Sequence, residues 1–127
     1  MVAFYKVTCP VCQIAAPKIS RLAEAYPGHV VAVGQDPTAE LEVFSADYDF
    51  SVQSTPDLAP YPVSAAYGVE VVPTLFLVGE DDTVADAVQS WDREGINRIS
   101  TELAELIGAE SVVISSPSDG LPAFRPG

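Results

Sequence analysis

Apolar residues fall in short blocks separated by polar stretches carrying proline and glycine, and the spacing within the blocks changes along the chain. Residues 2–7 are apolar on both faces apart from Lys6, the pattern of a central parallel strand. Ile14, Ile19, Leu22 and Tyr26 then recur at helical intervals, and Tyr26-Pro27-Gly28 ends that helix. Residues 30–33 read as a second buried strand. Asp36 is placed to cap a following helix that Pro37 opens, with Leu41, Phe44 and Tyr48 as its apolar stripe. Residues 50–54 alternate as a short edge strand. Residues 55–62 form a proline-rich loop, and a helical turn over 63–67 closes at Gly68. Residues 72–78 predict a third strand, 79–82 a turn, and 83–89 a returning fourth strand. Asp92 opens the last helix, with Trp91 and Ile96 as a hydrophobic staple across its cap. Ile96, Ile99, Leu103 and Leu106 form its stripe, and Gly108 ends it. Beyond it, Val112-Val113-Ile114 is expected to order part of the tail and to leave the rest loose.

The order is β-α-β, a helix with an insertion, then β-β-α. A right-handed β-α-β unit makes the first two strands parallel, and a tight turn makes the last two antiparallel. The expectation is an α/β fold with a mixed sheet of four to five strands flanked by helices on both faces.

Composition narrows this little. The 127 residues suit one domain with one core, at 48% hydrophobic and 19% charged residues. A net charge of −12 disfavours nucleic acid and anionic membrane surfaces as partners. No apolar run approaches the ~20 residues of a membrane helix, so no membrane insertion is expected. No basic, apolar leader precedes residues 2–5, so the cytoplasm is the expected location of the chain as written. A longer native N-terminus would change that to an exported or membrane-tethered protein.

Cys9-Pro10-Val11-Cys12 carries the chemistry, and it stands where the first strand meets the first helix. Unpaired N–H groups and the helix dipole stabilise a thiolate there, and the thiolate is the form that attacks disulfides. A spacing of three puts both sulfurs on one turn. Cys9 comes first and is expected to be exposed and to attack. Cys12 lies one turn in and is expected to be shielded and to resolve. Pro10 suits the first helical turn. Half a zinc site and a pair of core thiols are the bland alternatives. Structural zinc needs about four ligands, and the chain offers two cysteines and His29. No cofactor or metal is called for.

Residues 4–12, with Pro17 five residues after Cys12, resemble the active-site strand and helix of thioredoxins. Tyr67-Gly68-Val69-Glu70-Val71-Val72-Pro73-Thr74-Leu75 resembles the stretch that ends in their cis-proline loop. The likeness to the thioredoxin-like superfamily covers about residues 2–107. The longer loop before Tyr61-Pro62 resembles redoxins grouped with alkyl hydroperoxide reductase and thiol-specific antioxidants, or with membrane-tethered thiol–disulfide oxidoreductases. The resemblance implies a domain over residues 1–108, with an insertion at about 49–62 and a tail over 109–127. It implies that Pro73 is cis and packs on the Cys pair. Val72 would offer its backbone to an extended substrate segment, with Thr74 and Thr8 completing the substrate-binding set. Pro17 would kink the helix, and Val11 and Pro10 would shape the site. An ordinary trans proline opening an edge strand is the bland reading of Pro73.

The chain departs from the family in three places. Ala3 stands where thioredoxins hold a buried acid, six residues before the first Cys. Ala15 stands where the tethered family often has Glu, and Thr8 replaces the usual tryptophan. No familiar proton acceptor for Cys12 is therefore visible. Lys6 is a candidate thiolate stabiliser; its alternative is to snorkel into water. Tyr5 is expected to pack under the active-site helix, His29 to be a solvated turn residue, and Glu80-Asp81-Asp82 to be a hairpin turn.

The resemblance implies a thiol–disulfide oxidoreductase acting on protein or small-molecule disulfides. An upstream donor, such as a thioredoxin reductase or a membrane thiol donor, would supply electrons. A thiol peroxidase is a second reading. It is opposed by Lys6, which stands where peroxiredoxins place Thr. A non-catalytic thioredoxin-fold binding module is the third, opposed by the intact Cys pair.

Overall fold

Val2–Tyr5 (β1) forms the middle of a five-stranded mixed sheet in the computed structural model, which describes residues 1–127. Pro10–Ala25 (α1) crosses to Val31–Gly34 (β2), which pairs parallel with β1. Thr38–Asp47 (α2) leads to Ser54–Pro56 (β3), parallel to β2 at the sheet edge, where a proline is tolerated. Pro62–Tyr67 (α3) precedes Thr74–Val78 (β4) and Val84–Gln89 (β5), an antiparallel pair with β4 against β1. Trp91–Asp92 (β6) opens Arg93–Ile107 (α4), and Phe124–Arg125 (β7) returns to pair with β6. The sheet order is β3-β2-β1-β4-β5.

β1 is buried on both faces because successive side chains point to opposite sides. Ala3 and Tyr5 join Ala32, Leu75, Leu77 and Val88 in the main core under α1, α2 and α4. Helical spacing sends Val11, Cys12, Ala15, Ala16, Ile19 and Leu22 of α1 into that core. Each fully buried aliphatic side chain there contributes roughly 1.5–3 kcal/mol. Phe4 faces the other way and meets Phe76 and Tyr67, with ring centroids 5.6 and 5.0 Å away. The second face therefore carries a small aromatic cluster that α3 closes with Tyr67. Gly95 lets the first turn of α4 approach β5: a Cβ there would stand 2.6 Å from Val88 Cγ1.

Several local expectations need correction. Asp36 does not cap α2. Pro37 is the N-cap without a side-chain bond, and Asp36 Oδ2 instead accepts the Val7 N–H at 2.9 Å. The parallel register, Tyr5 opposite Gly34, sets Asp36 beside Val7 and makes that bond available. The edge strand lies at Ser54–Pro56 rather than 50–54, since Phe50 and Val52 are drawn into the core. Asp92 caps α4 through the Gly95 N–H, and Gly108 ends it in a left-handed conformation, as expected.

The tail is not loose after Ile114. Asn97 Oδ1 accepts the N–H groups of Ile114 and Ser115. Arg93 reaches the Leu121 carbonyl at 2.7 Å and Asp119, and Trp91 Nε1 donates to the Pro122 carbonyl at 2.6 Å. Tyr26, Ser100 and Val112 close a further hydrogen-bonded ring. Side chains of α1 and α4 order this segment by meeting its backbone polar groups, and no apolar periodicity in the tail itself records that.

Asp57 is buried below α3 and accepts bonds from the Val63 N–H, the Ser64 N–H and the Ser64 hydroxyl at 2.8–3.1 Å. Burial pushes its carboxyl up. The bonds from Ser64 and Val63 outweigh this and hold it below the usual aspartate value. A depressed folded-state value stabilises the fold above the unfolded value near ~3.9, and that contribution is lost as pH falls through the folded value. Asp57→Ala is expected to be less stable than the parent in urea at pH 7. The gap should narrow on acidification below about pH 4. A gap independent of pH would remove ionisation from the account.

Candidate functional site

Cys9 is the N-cap of α1, with φ −85° and ψ 115°. Its sulfur accepts the Cys12 N–H at 3.3 Å, so an orphan donor of the first turn faces the sulfur directly. The Cys9 thiol also donates to the Val72 carbonyl at 3.5 Å, across a sequence gap of 63 residues. The Val72–Pro73 peptide is cis, as is Ala59–Pro60, which the sequence did not signal. Both cysteines are free thiols, Cys9 half-buried and Cys12 1% exposed.

The two thiols thus stand in different surroundings. Burial pushes the Cys12 thiol far up from its ordinary value. A backbone hydrogen bond from Lys6 works against this, and Cys9 and Asp36 reinforce it. Asp36 is the carboxyl group whose influence on Cys12 the sequence reasoning missed. The signal that would have found it is the parallel register of β1 and β2, which brings their carboxyl ends together.

The other expected site residues divide into two groups. Val11 is buried beside the Cys pair, and Pro10 occupies the exposed first helical position. Val72 is half-buried with its carbonyl at Cys9, and Pro73 is buried. Thr8 is exposed next to Cys9. Thr74, expected among the substrate-binding residues, is 1% exposed, and its hydroxyl donates to the Val71 carbonyl at 2.7 Å. It braces the loop and is shut off from solvent. Pro17 lies on the exposed side of an α1 that runs through it. Lys6 holds its ammonium 5.9 Å from the centroid of the Tyr61 ring, a cation–π contact. Tyr5 stacks on Phe44 of α2 and on Phe50, and donates to Ser54 Oγ at 2.8 Å. Beside Val72, an open depression of ≈ 430 Å³ is lined by Gln35, Val69, Glu70, Val71, Val72 and Gly127.

Helices on a mixed five-stranded sheet, with a Cys-x-x-Cys at the first helix and a cis-proline loop against it, define a thioredoxin-like protein of the redoxin type. No protein-family model matches the chain, and no curated protein matches it in sequence. Solved structures do. A Chlorobium tepidum protein assigned as the thiol:disulfide interchange protein DsbE is 21% identical, with TM-score 0.73, over 84% of this chain and 78% of that one. A secreted Mycobacterium tuberculosis disulfide oxidoreductase homologous to E. coli DsbE is 27% identical, with TM-score 0.57, over 68% and 65%. A Neisseria meningitidis protein assigned as a thioredoxin is 25% identical, with TM-score 0.68, over 94% and 76%. These three solved structures carry the names of thiol:disulfide oxidoreductases and a thioredoxin. No helix is long and apolar enough to cross a membrane.

Proposed function

We propose that the chain is a thiol–disulfide oxidoreductase whose nucleophile is Cys9 and whose resolving thiol is Cys12. The observation that carries this is the pairing of a half-buried Cys9 at the helix N-terminus, touching the Val72 carbonyl, with a Cys12 sealed one turn behind it. The Cys9 thiolate attacks one sulfur of a substrate disulfide. A Cys9–substrate disulfide forms, the substrate S–S bond breaks, and one substrate thiolate leaves and takes a proton from water. Cys12 then loses its proton and attacks the Cys9 sulfur. The Cys9–Cys12 disulfide forms and the second substrate thiol departs. The substrate gains two electrons and two protons, and an external dithiol donor restores the pair.

Val72 supports this reading with an edge for an extended segment, since its carbonyl reaches the reacting sulfur. Protein disulfides are thus the favoured substrate class. The secreted Mycobacterium tuberculosis neighbour favours an exported or membrane-tethered setting over the cytoplasm.

Insulin reduction driven by dithiothreitol tests the proposal. The parent chain is expected to accelerate precipitation of the insulin B chain, and Cys9→Ser is expected to return the rate to background. A folded parent chain with no acceleration, or a Cys9→Ser variant as active as the parent, refutes it.

A further inference from the structure

Residues 121–127 pass along β6 and bring Gly127 to the Val72 carbonyl that Cys9 touches. Phe124–Arg125 pairs with Trp91–Asp92, and the Arg93 N–H donates to the Ala123 carbonyl at 2.9 Å. Beyond Arg125 the hold thins to one bond, from the Gly127 N–H to Ser90 Oγ at 2.9 Å. Ser90 sits at φ +70° and gives its own N–H to the Pro73 carbonyl at 2.8 Å. This bridge lays Gly127 over the cis-proline loop. Its Cα is so near Val72 that an added Cβ would collide with the Val72 carbonyl oxygen and stand 3.6 Å from Pro73 Cδ. Only a residue without a side chain fits. Gly127 also forms part of the rim of the depression beside Val72.

The backbone edge at Val72 therefore already has an occupant. We propose that Pro126 and Gly127 are a resident strap on the substrate-pairing edge and that they determine which disulfides reach Cys9. The inference rests on the oxidoreductase reading above. A disulfide within an extended polypeptide pairs with Val72 and has to lift the strap off. A small aromatic disulfide reaches the half-buried sulfur without using that edge. One hydrogen bond and a glycine contact hold the strap, so displacement is reversible, and its removal is expected to alter rates by about three- to tenfold. The upstream anchors on Trp91 and Arg93 stay in place when Pro126 and Gly127 lift.

The test uses Gly127→Val, which drives the strap off Val72, and Ser90→Ala, which deletes the acceptor. Each is compared with the parent for kcat/KM on insulin and on 5,5′-dithiobis(2-nitrobenzoate), with circular dichroism and urea midpoints to verify the fold. The expected result is a three- to tenfold rise on insulin in both variants, with the small disulfide within about twofold of the parent. An active parent whose insulin-to-small-disulfide ratio is unchanged in both variants overturns the strap and leaves the oxidoreductase reading standing. Equal rises on both substrates also overturn it, because the segment would then be shielding the sulfur in general. No reduction of either disulfide by any of the three proteins overturns the oxidoreductase reading and the strap with it.

Discussion

Cys12→Ser is expected to leave the chain covalently joined to its substrate. Cys9 keeps its place at the helix N-terminus, so the first attack proceeds and a mixed disulfide forms. No second thiol is then within reach, and turnover stops. Serine is close to cysteine in size, so the site 1% exposed to solvent keeps most of its packing. The expected readout is a complex that survives denaturing gel electrophoresis and dissolves under reductant, with insulin turnover near background. Cys9→Ser should give neither complex nor turnover. A Cys12→Ser protein that turns over like the parent would remove Cys12 from the mechanism. The complex should also persist at neutral pH in the variant and be short-lived in the parent. Burial raises the Cys12 thiol, so its attack on Cys9 has to draw a proton out of a desolvated site, and resolution in the parent should accelerate as pH rises.

Trp91→Ala is expected to be the most damaging single change to stability. Trp91 is 1% exposed within the main core, between β5 and α4, and its indole N–H holds the Pro122 carbonyl at 2.6 Å. Truncating a buried tryptophan typically costs about 3–5 kcal/mol, against a total of roughly 5–15 kcal/mol for a small domain. Urea unfolding should show a much lower midpoint with a similar slope. Trp91→Phe separates packing from the hydrogen bond: it keeps an aromatic ring and loses the donor, at an expected ~1 kcal/mol. Parent-like stability in Trp91→Ala would show that the ring is not part of the core.

Much of the fold was legible because its signals are local. β1 is short, apolar on both faces and followed by a helical repeat, and it lies where that pattern puts it. Asp92 and Gly108 bound α4 as their cap chemistry requires. The cysteine pair was legible for the same reason: two thiols three residues apart at a strand-to-helix junction carry their own geometry. The Val72–Pro73 peptide is cis, as the likeness at 67–75 implied.

The misreadings share one physical cause, which is that polar groups choose partners by proximity in space. Asp36 looked like a cap because Pro37 follows it, yet the turn after the neighbouring strand offered the Val7 N–H. Thr74, placed beside the substrate by the likeness at 67–75, turns its hydroxyl inward to the Val71 carbonyl. The stretch after Ile114 is rich in Pro, Ser and Gly and lacks an apolar repeat, so its own residues argue for looseness. Asn97, Arg93 and Trp91 lie far from it in sequence, and their polar atoms order it.

Sequence alone determined the strands and helices with strong periodicity, the dithiol and which of its two sulfurs is the more shielded, because those properties depend on spacing within a few residues. Tertiary structure alone decided that Asp36 bonds the Val7 N–H, which residues of the proline loop are open, and that Gly127 rests on Val72. Those outcomes depend on strand register and on long-range hydrogen bonds, which join positions that no local pattern links.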